Sequence, residues 1–456
     1  MGILSNIKHI APYLLYSLGI ILSLMGLIGR GRWALLLVTF LIPLRNVIDK
    51  IQVFPGGNQI IDLLILGALI SWFITSTMQK KQLFAPSSLN FIIIMFVVYT
   101  FFSLLLGSNY LNGTFSLSLS DDRVKDWKNF CLMPLLFFIT LNHITERKWI
   151  ERILIAMALA VILMEYYTIT QIHDYSSLLS RAKISGTFQF LGPNEVAAFF
   201  NEYTIIIIGI FFCIKQKRIK SILLGLIYAN FICIIFLYSR GAYLGTFAGL
   251  AFLFLFKKRK LLFPLILVAV FWQLVLPEKA VQRIKGTTNE FGQLDESSER
   301  RLLVWKQGME LFKKSPLIGI GFGVFRYLGF DLGDTHNIYV KILVEQGLIG
   351  IIIFFVIISC FLRMGYVLYK KGEDDLGQGM GLGLMSCMIV VVLNNLFGDR
   401  WTYFELSAYL WIFAGLAARL IIISHKPQSQ LQVEQKTKTI AVPLQKPKKK
   451  LRYYDL

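Results

Sequence analysis

The chain has 456 residues, 55% hydrophobic and only 16% charged, with a mean hydropathy of +0.61 and a formal charge of +20. A soluble domain carries roughly 25% charged residues, so this composition excludes an ordinary water-soluble enzyme. The five cysteines lie in or beside apolar runs with no CxxC pair, which excludes a disulfide or cysteine–metal framework. The basic excess sits in short loops and the tail, a pattern that reports membrane topology and anionic-lipid contact rather than nucleic acid.

Apolar runs predict spans over 12–29, 33–45, 60–77, 89–107, 129–142, 151–169, 194–214, 221–238, 242–256, 261–276, 337–362, 380–396 and 403–423. The expected fold is all-α, a polytopic transmembrane bundle of about 12–14 spans. The second and fifth runs are short, and Pro43 and Pro134 are expected to tilt or break them. The first run lacks a small-x-small cleavage site, so no cleavable signal is expected.

The basic loops at Lys80–Lys81, Arg147–Lys148, Lys215–Lys220, Lys257–Lys260 and Lys370–Lys371 fall on one side in this scheme, as does the tail. The positive-inside rule makes that side cytoplasmic. The other side receives 46–59, 108–128, 170–193, the Ser239–Arg240 turn, 277–336 and 397–402. The pattern does not settle the side of the N-terminus.

The chain then divides into helices over 1–276, an extracytoplasmic segment 277–336, helices over 337–423, and a basic disordered cytoplasmic tail 424–456 that can meet anionic lipid. Within the segment, 286–299 reads as a polar loop. Residues 300–314 set Leu302, Leu303, Trp305, Met309 and Phe312 among charges, an amphipathic helix at the membrane face. The glycines of Gly319–Gly323 follow; they are expected to let the backbone turn tightly and approach the membrane surface.

His336 is the leading candidate for chemistry. It stands in GDTHN directly before a long apolar run, where a neutral imidazole can take a proton from a hydroxyl. The competing role is a histidine that only caps a helix. Arg181, Arg240, Arg300 and Arg301 lie on the outer side, against the positive-inside trend, and a guanidinium fork matches phosphate oxygens. The competing role for each is snorkelling to lipid phosphate, and the sequence does not choose between Arg300 and Arg301. Asn337 stands ready to orient the ring or a sugar. Glu165, Glu195, Glu202, Glu345 and Glu405 sit in apolar segments, where a carboxylate needs a partner or an aqueous cavity. Glu345 is expected to brace packing or to pair with an arginine. Asn394, Asn395 and Asp399 add polarity beyond it. No cofactor or metal site is expected, because a lone histidine has no Cys, Asp or His cluster at ligand spacing.

The runs RLLVWKQGMELFKKSPLIGIGFGVF and THNIYVKILVEQGLIG, with GTFQFLGPNEVAAF and YSRGAYLGTFAGL upstream, resemble the O-antigen ligase and O-antigen polymerase superfamily of bacterial membrane proteins. His336–Asn337, nine residues, then Gly347 and Gly350 follow the family's histidine motif, without its threonine and one residue shorter. The resemblance implies an inverting, metal-independent glycosyl transfer on the periplasmic face of the bacterial inner membrane. The donor would be an undecaprenyl-diphosphate-linked glycan, and the acceptor another lipid-linked unit or lipid A–core. It implies that His336 activates the acceptor and that Arg240 with Arg301, or Arg300, holds the diphosphate. The missing threonine inclines the reading to a polymerase over a lipid A–core ligase. The alternative class is a transporter for a small anion or for the lipid-linked sugar.

Overall fold

The computed structural model describes residues 2–424 apart from 112, 114–117, 119, 176, 178–179, 288–293 and 330–332. The basic tail from 425 onward and the middle of the polar loop lie outside the described residues. Among the described residues every regular element is helical. In chain order these are α1 (Gly2–Met25), α2 (Arg32–Leu41), α3 (Arg45–Ile48), α4 (Ile60–Met78), α5 (Asn90–Tyr110), α6 (Asp122–His143), α7 (Arg147–Asp174), α8 (Pro193–Cys213), α9 (Lys217–Phe236), α10 (Arg240–Lys257), α11 (Leu262–Val270), α12 (Trp272–Val275), α13 (Glu278–Lys285), α14 (Glu296–Lys314), α15 (Ile338–Lys371), α16 (Asp375–Asn394) and α17 (Phe404–Ser424).

Among the described residues, nine helices are long and apolar enough to cross a membrane: α1, α4, α5, α7, α8, α9, α15, α16 and α17. The other expected runs form helices that are shorter, broken or more polar. The run around Pro43 does break, into the ten-residue α2 and a four-residue α3. The run 261–276 breaks at Phe271 into helices of nine and four residues. The run near Pro134 behaves the other way: α6 continues through the proline for 22 residues, starting on charged turns. One proline removes a single donor, and packing of Phe137 and Leu136 in the core outweighs it.

Helices α8, α16 and α17 form the centre, with 83%, 72% and 78% of their apolar windows buried, against 11% for the peripheral α1. Helices α8 and α16 approach through glycine. A Cβ on Gly209 would come within 2.4 Å of the Gly383 backbone nitrogen, the small-residue contact that substitutes for hydrophobic driving force inside a bilayer.

The basic loops do gather at one end. Arg147 pairs with Asp374, and Lys215 with Asp375 at 3.1 Å. The other end is tied by Thr187 Oγ1 donating to the Pro43 carbonyl at 2.5 Å and by the Ile338 amide donating to the Gly398 carbonyl at 3.1 Å.

Helix α15 carries the main irregularity. Gly347 has φ 64° and ψ −162°, which interrupts the helix between Gln346 and Leu348. Backbone groups freed inside a membrane must find partners. The segment after α14 supplies them: the Ile320 and Gly321 amides donate to the Val344 and Glu345 carbonyls, and the Leu348 amide donates to Pro316. A Cβ on Gly347 would meet the Leu317 carbonyl at 2.3 Å. The Gly319–Gly323 run therefore lies against helix backbone, rather than against the membrane surface as the sequence suggests.

Helix α14 begins at Glu296, capped by the Asp295 carboxylate accepting from the Ser298 amide. It docks on α15 through Val304 and Gly308, which are buried with Val344 and Phe325. Leu302 and Leu303, which the sequence places on the apolar face, are about half exposed. The amphipathic helix thus has two apolar sides, one against protein and one left outward.

Candidate functional site

His336 precedes α15 in a left-handed conformation, φ 48°. A non-glycine residue there costs on the order of 1–3 kcal/mol, and such strain collects at functional sites. The surrounding bonds hold it. Thr335 Oγ1 donates to the Asn337 carbonyl at 2.8 Å, and Trp305 Nε1 of α14 donates to the Thr335 carbonyl at 2.7 Å. The capping role belongs to the neighbouring residue: Asn337 Oδ1 accepts from the Tyr339 and Val340 amides at 2.9 and 3.2 Å. The amide oxygen of Asn337 is thereby engaged as the cap of α15, while the His336 ring is left over.

That ring shares a pocket of about 230 Å³ with Arg300, Arg301, Glu296 and Ser297. Within it the two arginines differ. Arg300 faces Glu296 one turn back at 3.8 Å. Arg301 makes no hydrogen bond or ion pair among the described residues. Burial, and then the neighbouring Arg400 and Arg240 charges, pull its pKa down from the ordinary arginine value. A half-buried guanidinium surrounded by like charge is poised for an anion.

Arg240 stands at the first turn of α10. Its Nη1 donates to Thr287 Oγ1 at 2.7 Å, and its Nη2 pairs with Asp295 Oδ2 at 3.1 Å. Burial opposes ionisation of Asp295, but hydrogen bonding from Ser298 and the Arg240 charge hold the carboxyl below its usual range. Arg181 is buried and spent on scaffolding: Nε donates to the Leu237 carbonyl at 2.5 Å and Nη2 to Asn194 Oδ1 at 2.7 Å. Burial, then Arg283, lower its pKa to about 10. Of the residues singled out in the sequence, the structure brings His336, Arg300 and Arg301 into one pocket, sets Arg240 within electrostatic reach of Arg301, and places Arg181 behind them.

Two further arginines complete the cluster. Arg283 on α13 feels Arg240, and burial with that charge lowers its pKa. Arg400, buried between α16 and α17, donates to the Asn394 carbonyl, faces Glu195 Oε1 at 3.7 Å and leaves its Nε without a partner among the described residues. The positive-inside argument applies to both of these as it does to Arg240.

On the other side of His336 lies a carboxylate pair. Asp334 Oδ2 is 3.9 Å from His336 Nδ1, and Lys341 Nζ bridges Asp334 at 3.4 Å and Asp399 at 2.7 Å. Burial and the facing Asp399 raise the Asp334 carboxyl above its ordinary value. Burial also opposes ionisation of Asp399, but Lys341 holds it well below the ordinary range. Two carboxylates whose titrations are pushed apart in this way behave as one unit. Asp334 lies two residues before His336, a spacing the sequence displays without advertising its role. Glu345 braces the fold, its Oε1 accepting from the Phe325 amide at 3.1 Å.

Residues 224–355 match the O-Antigen ligase family. They run from α9 to the middle of α15 and include Arg240, Arg283, Arg300, Arg301, His336 and Gly347. The exopolysaccharide production protein ExoQ of Rhizobium meliloti (strain 1021) is 30% identical over 113 residues, which cover 21% of this chain and 26% of that relative. The chain is thus similar to about a quarter of that relative's length. It is a multi-pass membrane protein in which residues 224–355 are similar to the O-antigen ligase family.

Proposed function

We propose that the protein is a membrane glycosyltransferase. It would move a glycan from an undecaprenyl-diphosphate carrier to a sugar hydroxyl, with inversion and without a metal, in the polymerisation of O-antigen or a related cell-surface polysaccharide. The observation that carries the reading is the pocket in which His336 faces Arg301, a half-buried guanidinium with no ion pair among the described residues.

In this reading His336 takes the proton of the acceptor hydroxyl as its oxygen bonds to the anomeric carbon. The bond from that carbon to the diphosphate breaks, and the diphosphate departs with the electron pair. Arg301, backed by Arg240 and Arg400, meets the charge that develops on the leaving oxygen, where fixed donors are most effective. Such a leaving group needs little help from a general acid. The site would stand on the periplasmic side of the bacterial inner membrane, at the end of the bundle away from the basic loops, and the C-terminus would be cytoplasmic.

Full-length protein reconstituted with lipid-linked repeat units tests the proposal. Chains longer than one unit are expected, with release of free undecaprenyl diphosphate. Saturable flux of the lipid-linked sugar or of a small anion across vesicles with no glycan product would overturn it in favour of transport. Transfer onto lipid A–core, without self-lengthening, would reassign it as a ligase.

A further inference from the structure

A cavity of about 940 Å³ opens beside the His336 pocket at the same end of the bundle. The two sites meet at Asp334, which lines the cavity and has its Oδ2 3.9 Å from His336 Nδ1. Their chemistry differs. In the smaller pocket Arg301 is uncompensated. In the large cavity the lining cations other than Lys125 are all paired: Lys128 with Asp62 at 2.6 Å, Arg326 with Asp126 at 2.8 Å, Lys341 with Asp399 at 2.7 Å, and Arg45 with Asp49 at 3.0 Å. Lys125, the lining cation without an ion pair among the described residues, is exposed to solvent.

What the cavity leaves unused is amide. The side chains of Gln52, Asn58, Gln59, Asn129 and Gln346 line it and make no hydrogen bond among the described residues. Each carries two donors and an acceptor. Phe190, 61% exposed, also lines it and offers an aromatic face to a ring. A volume near the top of the roughly 300–1,000 Å³ range of ligand sites, with neutral donors and acceptors on apolar walls, suits a hydroxyl-rich uncharged ligand larger than one ring.

Building on the glycosyl-transfer reading, we propose that this cavity is the acceptor subsite and takes the uncharged end of a sugar chain. It delivers one hydroxyl past Asp334 to His336, while the diphosphate of the donor stays on the arginine side. Charge sorts the two substrates: a diphosphate finds no unpaired buried cation in the cavity, and a neutral sugar gains little from the arginines.

The test uses full-length protein in detergent and two probes: undecaprenyl diphosphate, and the water-soluble repeat-unit oligosaccharide cut from the host's own surface polysaccharide. Binding of each is measured by calorimetry or saturation-transfer NMR. Asn129→Trp fills the cavity, and Gln59→Ala removes an exposed amide where a folding defect is not expected. The expected result is at least tenfold weaker oligosaccharide binding in Asn129→Trp and a smaller loss in Gln59→Ala, with diphosphate binding unchanged in both. Arg301→Ala should reverse the pattern. Oligosaccharide binding that survives both cavity variants, or that fails in wild type while the diphosphate binds, overturns the acceptor assignment alone. An acidic sugar in every repeat of that polysaccharide overturns the uncharged assignment. Wild type that binds neither probe overturns this assignment together with the glycosyl-transfer reading.

Discussion

The Arg240 guanidinium is held 3.1 Å from the Asp295 carboxylate, so the residue most exposed to the positive-inside argument is already neutralised by its own chain. A diphosphate that reaches Arg240 must compete with Asp295. Removing that competitor should tighten donor binding: Asp295→Asn is expected to lower the donor KM several-fold, while Arg240→Ala raises it. The low-lying Asp295 carboxyl adds a pH dependence of stability. A depressed carboxyl contributes stability above its unfolded pKa of about 3.9 and loses it as pH falls through the folded value. Asp295→Asn should therefore flatten the acid side of a thermal-stability profile. An unchanged donor KM in Asp295→Asn would remove Arg240 from the binding site.

Arg301 and Arg300 are adjacent in sequence and separable in structure. Arg300 has Glu296 at 3.8 Å, and Arg301 makes no ion pair among the described residues. Arg301→Ala should lower kcat/KM about 10²–10³-fold, the usual cost of one donor aimed at developing charge. Arg300→Ala should cost less than tenfold. Lysine at 301 should restore activity only in part, because the bidentate fork is lost while the charge survives. Steady-state kinetics with a soluble short-prenyl donor would show this, and equal losses at the two positions would contradict it.

The bundle was legible because lipid imposes long apolar runs. The effect of each proline was not, because length alone does not say whether a proline breaks a helix. Pro43 follows the end of α2, whereas α6 runs on through Pro134 with Leu136 and Phe137 buried in the core. The place of His336 just before α15 was legible from the polar GDTHN run ahead of the apolar one. The pairing of Asp334, Lys341 and Asp399 was not, since it joins residues 58 apart at 2.7 Å through tertiary packing. The Gly319–Gly323 run was visible as a turn. Its target, the carbonyls bared at Gly347, is a property of two segments together and has no local signal.

Gly347 makes that dependence testable. A Cβ there would meet the Leu317 carbonyl at 2.3 Å, at a φ of 64°. With ψ at −162° the backbone lies in a region essentially reserved for glycine, which costs an L-residue on the order of 1–3 kcal/mol, and the clash adds to it. Gly347→Ala should lower the thermal midpoint by several degrees and loosen the α14–α15 docking that positions His336. Wild-type melting and activity in Gly347→Ala would show that the break is dispensable.

The last prediction concerns what His336 does. Asn337 already caps α15 through its Oδ1, so the imidazole is not needed to start the helix. Two roles remain: a base for the acceptor hydroxyl, or a hydrogen-bond partner that only positions it. Positioned proton transfer is worth about 10²–10⁴-fold, so His336→Ala should cut kcat by that factor and leave undecaprenyl-diphosphate binding nearly intact. Glutamine separates the roles, because it keeps hydrogen-bonding atoms and cannot serve as a base at neutral pH. If His336 is the base, His336→Gln is as slow as His336→Ala, and the wild-type fall in rate on the acid side disappears from its profile. In the general-base reading Asp334, 3.9 Å from the ring, would stabilise the imidazolium formed during transfer. Asp334→Asn should therefore lower kcat with little change in donor KM, a split that a purely structural lesion would not produce. A His336→Gln enzyme that turns over at near wild-type rate, with its acid limb intact, would end the general-base assignment and leave the arginine-bound diphosphate standing.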